Sequence, residues 1–349
     1  MVSKATLLAV FLVMVLSLIT RQGGARRHLL PPVCQTWNST TVVCRRQAIS
    51  QFSSDFRSTL TRIPPGIPKS ITTLDLSGNN ITDLHKDSFN ELRNLQYLVL
   101  SGIYLRTIED GAFAQLENLK ELQLCYPSNA TNEDVFKGLS NLRYLHLDLN
   151  NVGCLSDHAF VSLTSLENLA IVEISGLEDR TRLFERLSLW SPLTELEFLS
   201  LSVHRDSEIN FGPVFRYFSN LHTIEIKLLE PVSMNVTVRM LQPLSPHLQH
   251  LDLRLLKDED SDISIDHGDL LIEHGVLESL TNLQTLHLPR VPFSSIADVL
   301  PELRHTQIEE LLFYSHGIDA ITSETLAVID NLENLKILSL LTTRQAARV

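Results

Sequence analysis

Aliphatic residues recur along this chain on the phrase Leu-x-x-Leu-x-Leu, and no other feature narrows its fold as much. The phrase is plainest in ITTLDLSGNNI (Ile71 to Ile81) and LRYLHLDLNNV (Leu142 to Val152). Repeat starts fall at Ile71, Leu95, Leu119, Leu142, Leu166, Leu196, Leu221, Leu248, Leu283, Ile308 and Leu335, with gaps of 24, 24, 23, 24, 30, 25, 27, 35, 25 and 27 residues. In Leu-x-Leu, strand geometry sends the leucines to one side and the intervening residues to the other. One unit cannot bury its leucines alone, whereas eleven stacked in register form a continuous core in which each unit touches only its neighbours.

The spacing defines a fold of the α/β class: a leucine-rich repeat solenoid with a parallel sheet on its concave face and short helical or irregular convex segments. A length of 349 residues would otherwise accommodate two or three domains. With 44% hydrophobic and 20% charged residues the chain has apolar surface enough to fold. A second periodicity supports the register. Phe89, Phe113, Phe160 and Phe184 each follow a repeat start by 18 residues, and Phe136 follows Leu119 by 17. Leu92, Leu116, Leu139, Leu163 and Leu187 come three residues after each ring, which predicts a helical turn with one buried face. Asparagine at the ninth position of the repeat occurs only as Asn79 and Asn150. The middle and late repeats are therefore expected to be irregular.

The N-terminus specifies the compartment. After Lys4 comes the apolar run Ala5 to Ile19, then Gly23, Gly24 and Ala25, small residues suited to a peptidase pocket. Residues 1–25 read as a signal peptide, the run being shorter than the ~18 to 20 residues that span a bilayer. Residues 26–70 are expected to form an N-terminal cap and 71–349 the solenoid, about eleven repeats without a C-terminal cap. Secretion favours disulfides, and four cysteines allow three pairings. Cys34 and Cys44 are placed to close a hairpin in the cap, which leaves Cys125 for Cys154 by elimination. Asn38, Asn80, Asn129 and Asn235 head glycosylation acceptor tripeptides.

A signal peptide, a two-cysteine cap, the entry phrase LTRIPPGIPKSITTLDLSGNNIT (Leu60 to Thr82) and 24-residue units with a Phe before the next repeat resemble the N-terminal part of a Toll-like receptor ectodomain. The resemblance runs from Cys34 to Leu340. It implies sensing of microbial or danger ligands by protein-surface contact, with dimerisation, to itself or to a partner, as part of the mechanism. It also implies a C-terminal cap, a membrane helix and a signalling domain, none of which follows Leu340, so the last repeat would leave Leu335, Leu338 and Leu340 at an open end. The expectation is a secreted, extracellular or lumenal chain, endosomal in the lumenal case and membrane-bound only if the natural chain is longer. An extracellular matrix or adhesion protein using the same solenoid is the alternative.

No catalytic motif is present, neither Gly-x-Ser-x-Gly nor His-Glu-x-x-His nor a phosphate loop, so an enzyme is not expected, nor is any cofactor or metal. The residues between the leucines offer a binding face instead. They include Tyr97, Val99, Tyr144, Ala170, Val172 and Phe198, with the last three set to form an apolar spot on neighbouring strands. The stretch Lys257 to Asp269 echoes a calcium loop but has Ile263 where the turn needs Gly and Asp269 where it needs Glu, and it reads as a solvated acidic insertion. The formal charge is −12, which repels phosphate backbones at neutral pH; protonation of the 13 His would offset it in an acidified compartment.

Overall fold

The computed structural model describes residues 34–45, 59–127, 133–149, 155–174, 183–203, 209–228, 234–255, 270–288, 298–315 and 323–342. Signal-peptide residues 1–25, the acidic stretch 257–269, and Asn129, Asn150 and Cys154 lie outside them.

The chain coils into a solenoid whose inner wall is one 13-stranded sheet. A hairpin starts it: β1 (Gln35–Thr36) runs antiparallel to β2 (Thr41–Val43), and the Cys34–Cys44 disulfide closes the loop, as expected. Parallel strands follow in chain order: β3 (Thr73–Asp75), β5 (Tyr97–Leu100), β7 (Glu121–Tyr126), β8 (Tyr144–Leu149), β9 (Asn168–Ile174), β10 (Phe198–Val203), β11 (Thr223–Leu228), β13 (His250–Leu255), β15 (Thr285–Leu288), β16 (Glu310–Ser315) and β17 (Ile337–Thr342). Two small parallel pairs lie outside this sheet, β4 (Asp83–Leu84) with β6 (Thr107–Ile108) and β12 (Met234–Val236) with β14 (Leu270–Ile272). Each of the eleven repeat starts is thus followed by one strand of the wall.

The leucine phrase sets the register. The middle leucine of each phrase pairs with its counterpart in the next coil: Leu74 with Leu98, Leu98 with Leu122, Leu122 with Leu145, and onward to Leu311 with Leu338. From Leu74 to Leu311 these residues are 0–2% exposed. At β17, the last strand of the sheet, the row opens and Leu338 is 38% exposed.

Behind the strands the rings stack as a convex spine. Phe89 lies on Phe113 at 5.7 Å, and Phe136, Phe160, Trp190 and Phe215 form a continuous series at 6.1, 6.0 and 5.0 Å. The turn that carries them is built from two successive i→i−3 bonds. Leu163 N–H donates to Phe160 O and Leu166 N–H to Leu163 O, and the same pair recurs at Phe89/Leu92/Leu95, Trp190/Leu193/Leu196 and Ile329/Leu332/Leu335. The ring position is therefore fixed six residues before the next repeat start.

Counting back from the next start corrects one expectation. Leu92, Leu116, Leu139 and Leu163 are buried as predicted, but Leu187 is 60% exposed. Its repeat has 30 residues, so Trp190 and Leu193 occupy the places that Phe160 and Leu163 hold one coil earlier. Phe184 is displaced onto the flank of Trp190, at 5.5 Å, where it also meets Phe211 at 5.1 Å.

A polar ladder joins the coils at their turns. Asn94, Asn118, Asn141, Asn220 and Asn282 stand one residue before a repeat start, and each side-chain amide donates to a carbonyl of the preceding coil: Lys69, Arg93, Glu117, Thr194 and Pro246. Asn79 works differently. Its amide donates to Cys44 O at 2.7 Å and Leu76 O at 2.8 Å while its oxygen accepts from Leu60 N–H, tying the cap to the first coil. Close coil spacing also needs Gly138, whose φ is +89° and where a Cβ would lie 2.8 Å from Ala114 O.

The back-counted register gives a paired test. Leu163→Ala should cost about 2–5 kcal/mol, as large-to-small core changes do. Leu187→Ala should stay within about 0.5 kcal/mol, as surface changes do. Urea unfolding followed by far-UV circular dichroism separates the two registers; equal losses would refute the back-counted one.

Candidate functional site

Because side chains alternate along a strand, the concave wall carries rows of residues in register from coil to coil. One row reads Tyr97, Glu121, Tyr144, Asn168, Phe198, Thr223, His250, Thr285, Glu310. The next, two residues further on, reads Val99, Gln123, His146, Ala170, Ser200, Glu225, Asp252, His287. A third holds Cys125, Asp148 and Val172.

All six predicted contact residues lie in these rows. Tyr97, Tyr144, Ala170, Val172 and Phe198 are half-buried, whereas Val99 is only 8% exposed and offers little surface. The apolar spot is more broken than expected, since Phe198 sits opposite Asn168, and Ala170 opposite Ser200. The strand-by-strand register decides that, and adjacent residues of one row need not share a chemistry.

The wall divides electrostatically. The wall strands from β3 to β9 contain no Lys or Arg, but their sequences carry Asp75, Glu121, Asp148 and Glu173. Glu121 is half-buried and accepts from Gln123 Nε2 at 3.1 Å; burial pushes its carboxyl above the usual range, and the bond from Gln123 opposes this. Over β10 to β16 the wall carries an ion-pair network instead. Glu225, 8% exposed, accepts from Ser200 Oγ at 2.9 Å and pairs with Lys227 at 2.9 Å and Arg254 at 3.7 Å. Arg254 Nε reaches both Asp252 oxygens at 2.8 Å, and His287 lies 3.1 Å from Asp252 and 3.5 Å from Glu310. Burial works against the charge of Asp252, but the bonds from His287 and Arg254 outweigh it and hold the carboxyl below the usual range. The network was missed in the sequence although it was signalled there, in the charged residues of IEIK, LDLR and LHL at equivalent repeat positions.

Cys125 corrects the disulfide expectation. Its parity on β7 matches Gln123, so the sulfur faces the concave wall, where it donates to Asp148 Oδ2 at 3.3 Å and accepts from Gly102 N–H at 3.1 Å. It is a free thiol rather than half of a bond to Cys154. Burial first, then the charge of Asp148, raises its pKa to about 11. Of the glycosylation acceptors, Asn38, Asn80 and Asn235 are exposed, and Asn38 Oδ1 accepts from Thr40 N–H at 2.8 Å. Among the described residues no cluster of His, Cys, Asp and Glu is arranged to hold a metal, and no helix is long and apolar enough to cross a membrane.

These features define a leucine-rich repeat solenoid whose concave sheet face carries aromatic and polar side chains in rows. The family model for the leucine rich repeat matches residues 69–126 and 129–172. Human Toll-like receptor 8 is 40% identical over 76 residues, 20% of this chain and 7% of the receptor. Horse decorin is 42% identical over 55 residues, 16% of this chain and 15% of decorin. Among solved structures, the TLR13–ssRNA13 complex superposes with a TM-score of 0.56 at 21% identity, over 88% of this chain and 43% of that one. The chain thus spans well under two thirds of these relatives' length. With the fold, these matches make the chain a leucine-rich repeat solenoid similar to a Toll-like-receptor-type ectodomain.

Two outcomes check the geometry. With the Cys125 pKa at about 11, alkylation by iodoacetamide should be slow at pH 7.5 and rise steeply above pH 10, and Asp148→Asn should speed it, because the carboxylate opposes thiolate formation. Recovery of a Cys125–Cys154 peptide under non-reducing conditions would contradict the free thiol. Burial, the largest influence on both His146 and His250, holds them below the ordinary imidazole range. Their contribution to stability is therefore present above about pH 6.5, the unfolded value, and is lost as pH falls through the folded value. The thermal midpoint should drop between pH 7 and pH 5, and the double variant His146→Gln, His250→Gln should flatten that dependence.

Proposed function

We propose that the chain is an extracellular recognition module that binds its ligand on the concave wall, in innate immune sensing of microbial or danger-associated molecules. The observation that carries this reading is the face over β5–β10, where aromatic and carboxylate side chains stand half-buried and in register with nothing packed across them among the described residues. Sheet faces of this kind are otherwise covered, so an open one is surface available for a partner. Support for the secretory route comes from the Cys34–Cys44 disulfide, which persists in oxidising compartments, and from the exposed acceptor asparagines. The role is binding rather than catalysis, and dimerisation remains part of the resemblance to Toll-like receptors.

Nucleic acid is a poor ligand for the N-terminal half at neutral pH, despite the RNA in the TLR13 complex. Phosphate contacts need Lys or Arg, and β3 to β9 supply none. A matrix or adhesion role is the second reading, favoured by the decorin match.

The two are separated by offering the secreted chain a panel of microbial cell-wall preparations and purified matrix proteins. The wall itself is tested by a glycan wedge: Ala170→Asn with Val172→Thr creates an acceptor tripeptide on the concave face, while Tyr217→Asn creates one at a residue that is 82% exposed on the convex side. Binding should be lost with the first and retained with the second. A ligand that still binds the first variant would overturn the concave assignment.

A further inference from the structure

We propose that the wall over β5–β8 docks a basic segment of a partner protein, one lysine or arginine seating on Glu121 between the rings of Tyr97 and Tyr144 and a second on Asp148. This rests on the concave-face reading and adds the chemistry of the partner.

Three observations converge on it. First, the register puts Glu121 directly between Tyr97 on β5 and Tyr144 on β8. At strand spacings of about 4.8 Å this sets a carboxylate between two tyrosine side chains, and a cation seated on it by charge has aromatic side chains within reach on either side. Glu121 has no ion pair among the described residues, and burial disfavours its charge, so an incoming cation relieves a real cost. Second, Asp148 Oδ2 is engaged by the Cys125 thiol, but its buried Oδ1 has no hydrogen-bond partner. A carboxylate oxygen left so gains an N–H only when the side chains that cover it move aside, a step that an arriving cation would drive. Third, the charge balance is one-sided: the strands from β3 to β9 hold no cation, and the whole chain carries −12.

The other charges nearby do not cancel this field. Lys120 and Arg143 stand at the strand entries on the rim, and Arg143 is engaged by Glu167 at 3.0 Å. Lys227, whose field reaches His146, is held by Glu225 at 2.9 Å. His146, in the row between the two acids, is kept neutral by its burial. Asp148 pairs with Cys125, four residues along β7 from Glu121, so the two carboxylates are about 13 Å apart along the strand direction. An extended peptide presents side chains of one face at residues i, i+2 and i+4, and its i to i+4 distance matches that separation.

The test uses the intact secreted chain and two fluorescein-labelled octapeptides, one alternating Arg and Ser and the other alternating Glu and Ser, read by fluorescence anisotropy at 150 mM salt. Saturable binding of the arginine peptide alone is expected. Glu121→Gln with Asp148→Asn should weaken it at least tenfold, and Tyr97→Ala severalfold. Glu117→Gln with Glu333→Gln, the same charge change at exposed positions elsewhere, should leave it unchanged. Equal weakening by the control pair would reduce the effect to diffuse attraction, and binding of the glutamate peptide, or of neither peptide, would also overturn the proposal. Matching circular dichroism melts establish that each variant is folded. A panel ligand displaced by the Ala170→Asn glycan yet indifferent to the Glu121 and Asp148 changes would leave the concave wall as the site and remove only the basic partner.

Discussion

Every coil of this molecule buries its leucines against the next coil rather than against itself. That single constraint orders the rest. Because the leucine rows must meet, the strands align in parallel and in register; because they align, the residues between the leucines stack into rows across the concave wall. The same stacking brings the convex rings within about 5 to 6 Å of one another and lets Asn94, Asn118, Asn141, Asn220 and Asn282 each reach a carbonyl of the coil before. Binding chemistry is therefore composed across coils: Tyr97, Glu121 and Tyr144 come from three repeats, and the network of Glu225, Arg254, Asp252 and His287 from three more.

The wall is not uniform, and the difference is physical rather than decorative. Toward β10–β16 the acids are already answered by Lys227, Arg254 and His287, so that half is close to electrostatic closure and has little to offer a charged partner. Toward β3–β9 the wall acids Glu121 and Asp148 are met by the neutral side chains of Gln123 and Cys125. The proposed basic partner would use the half where these acids lack a cation of their own.

Much of the architecture was legible from the repeat. The leucine rows, the strand positions and the concave placement of Tyr97, Tyr144, Ala170, Val172 and Phe198 all follow from a period of two inside a period of about 24. What escaped did so for identifiable reasons. Leu187 was assigned to the core by counting forward from a repeat start, a count that a 30-residue repeat spoils, whereas Trp190 and Leu193 are found at once by counting back from Leu196. The asparagine ladder was sought at the ninth position when it stands just before the first, at Asn94, Asn118 and Asn141. Cys125 was paired by elimination, although its even spacing from Gln123 and Glu121 already aimed its sulfur into the wall. The ion-pair network needed only the row alignment applied to charges as well as to leucines.

The hairpin at the start of the sheet has a further consequence. Each strand from β2 onward runs in one direction, but β1 runs against it, is two residues long and is pinned by a disulfide. A strand of two residues offers a foreign edge little template to extend. Sideways growth of the sheet, the route by which exposed edges turn a soluble molecule into a polymer, is discouraged at that margin by a minimal strand held in a covalently closed hairpin.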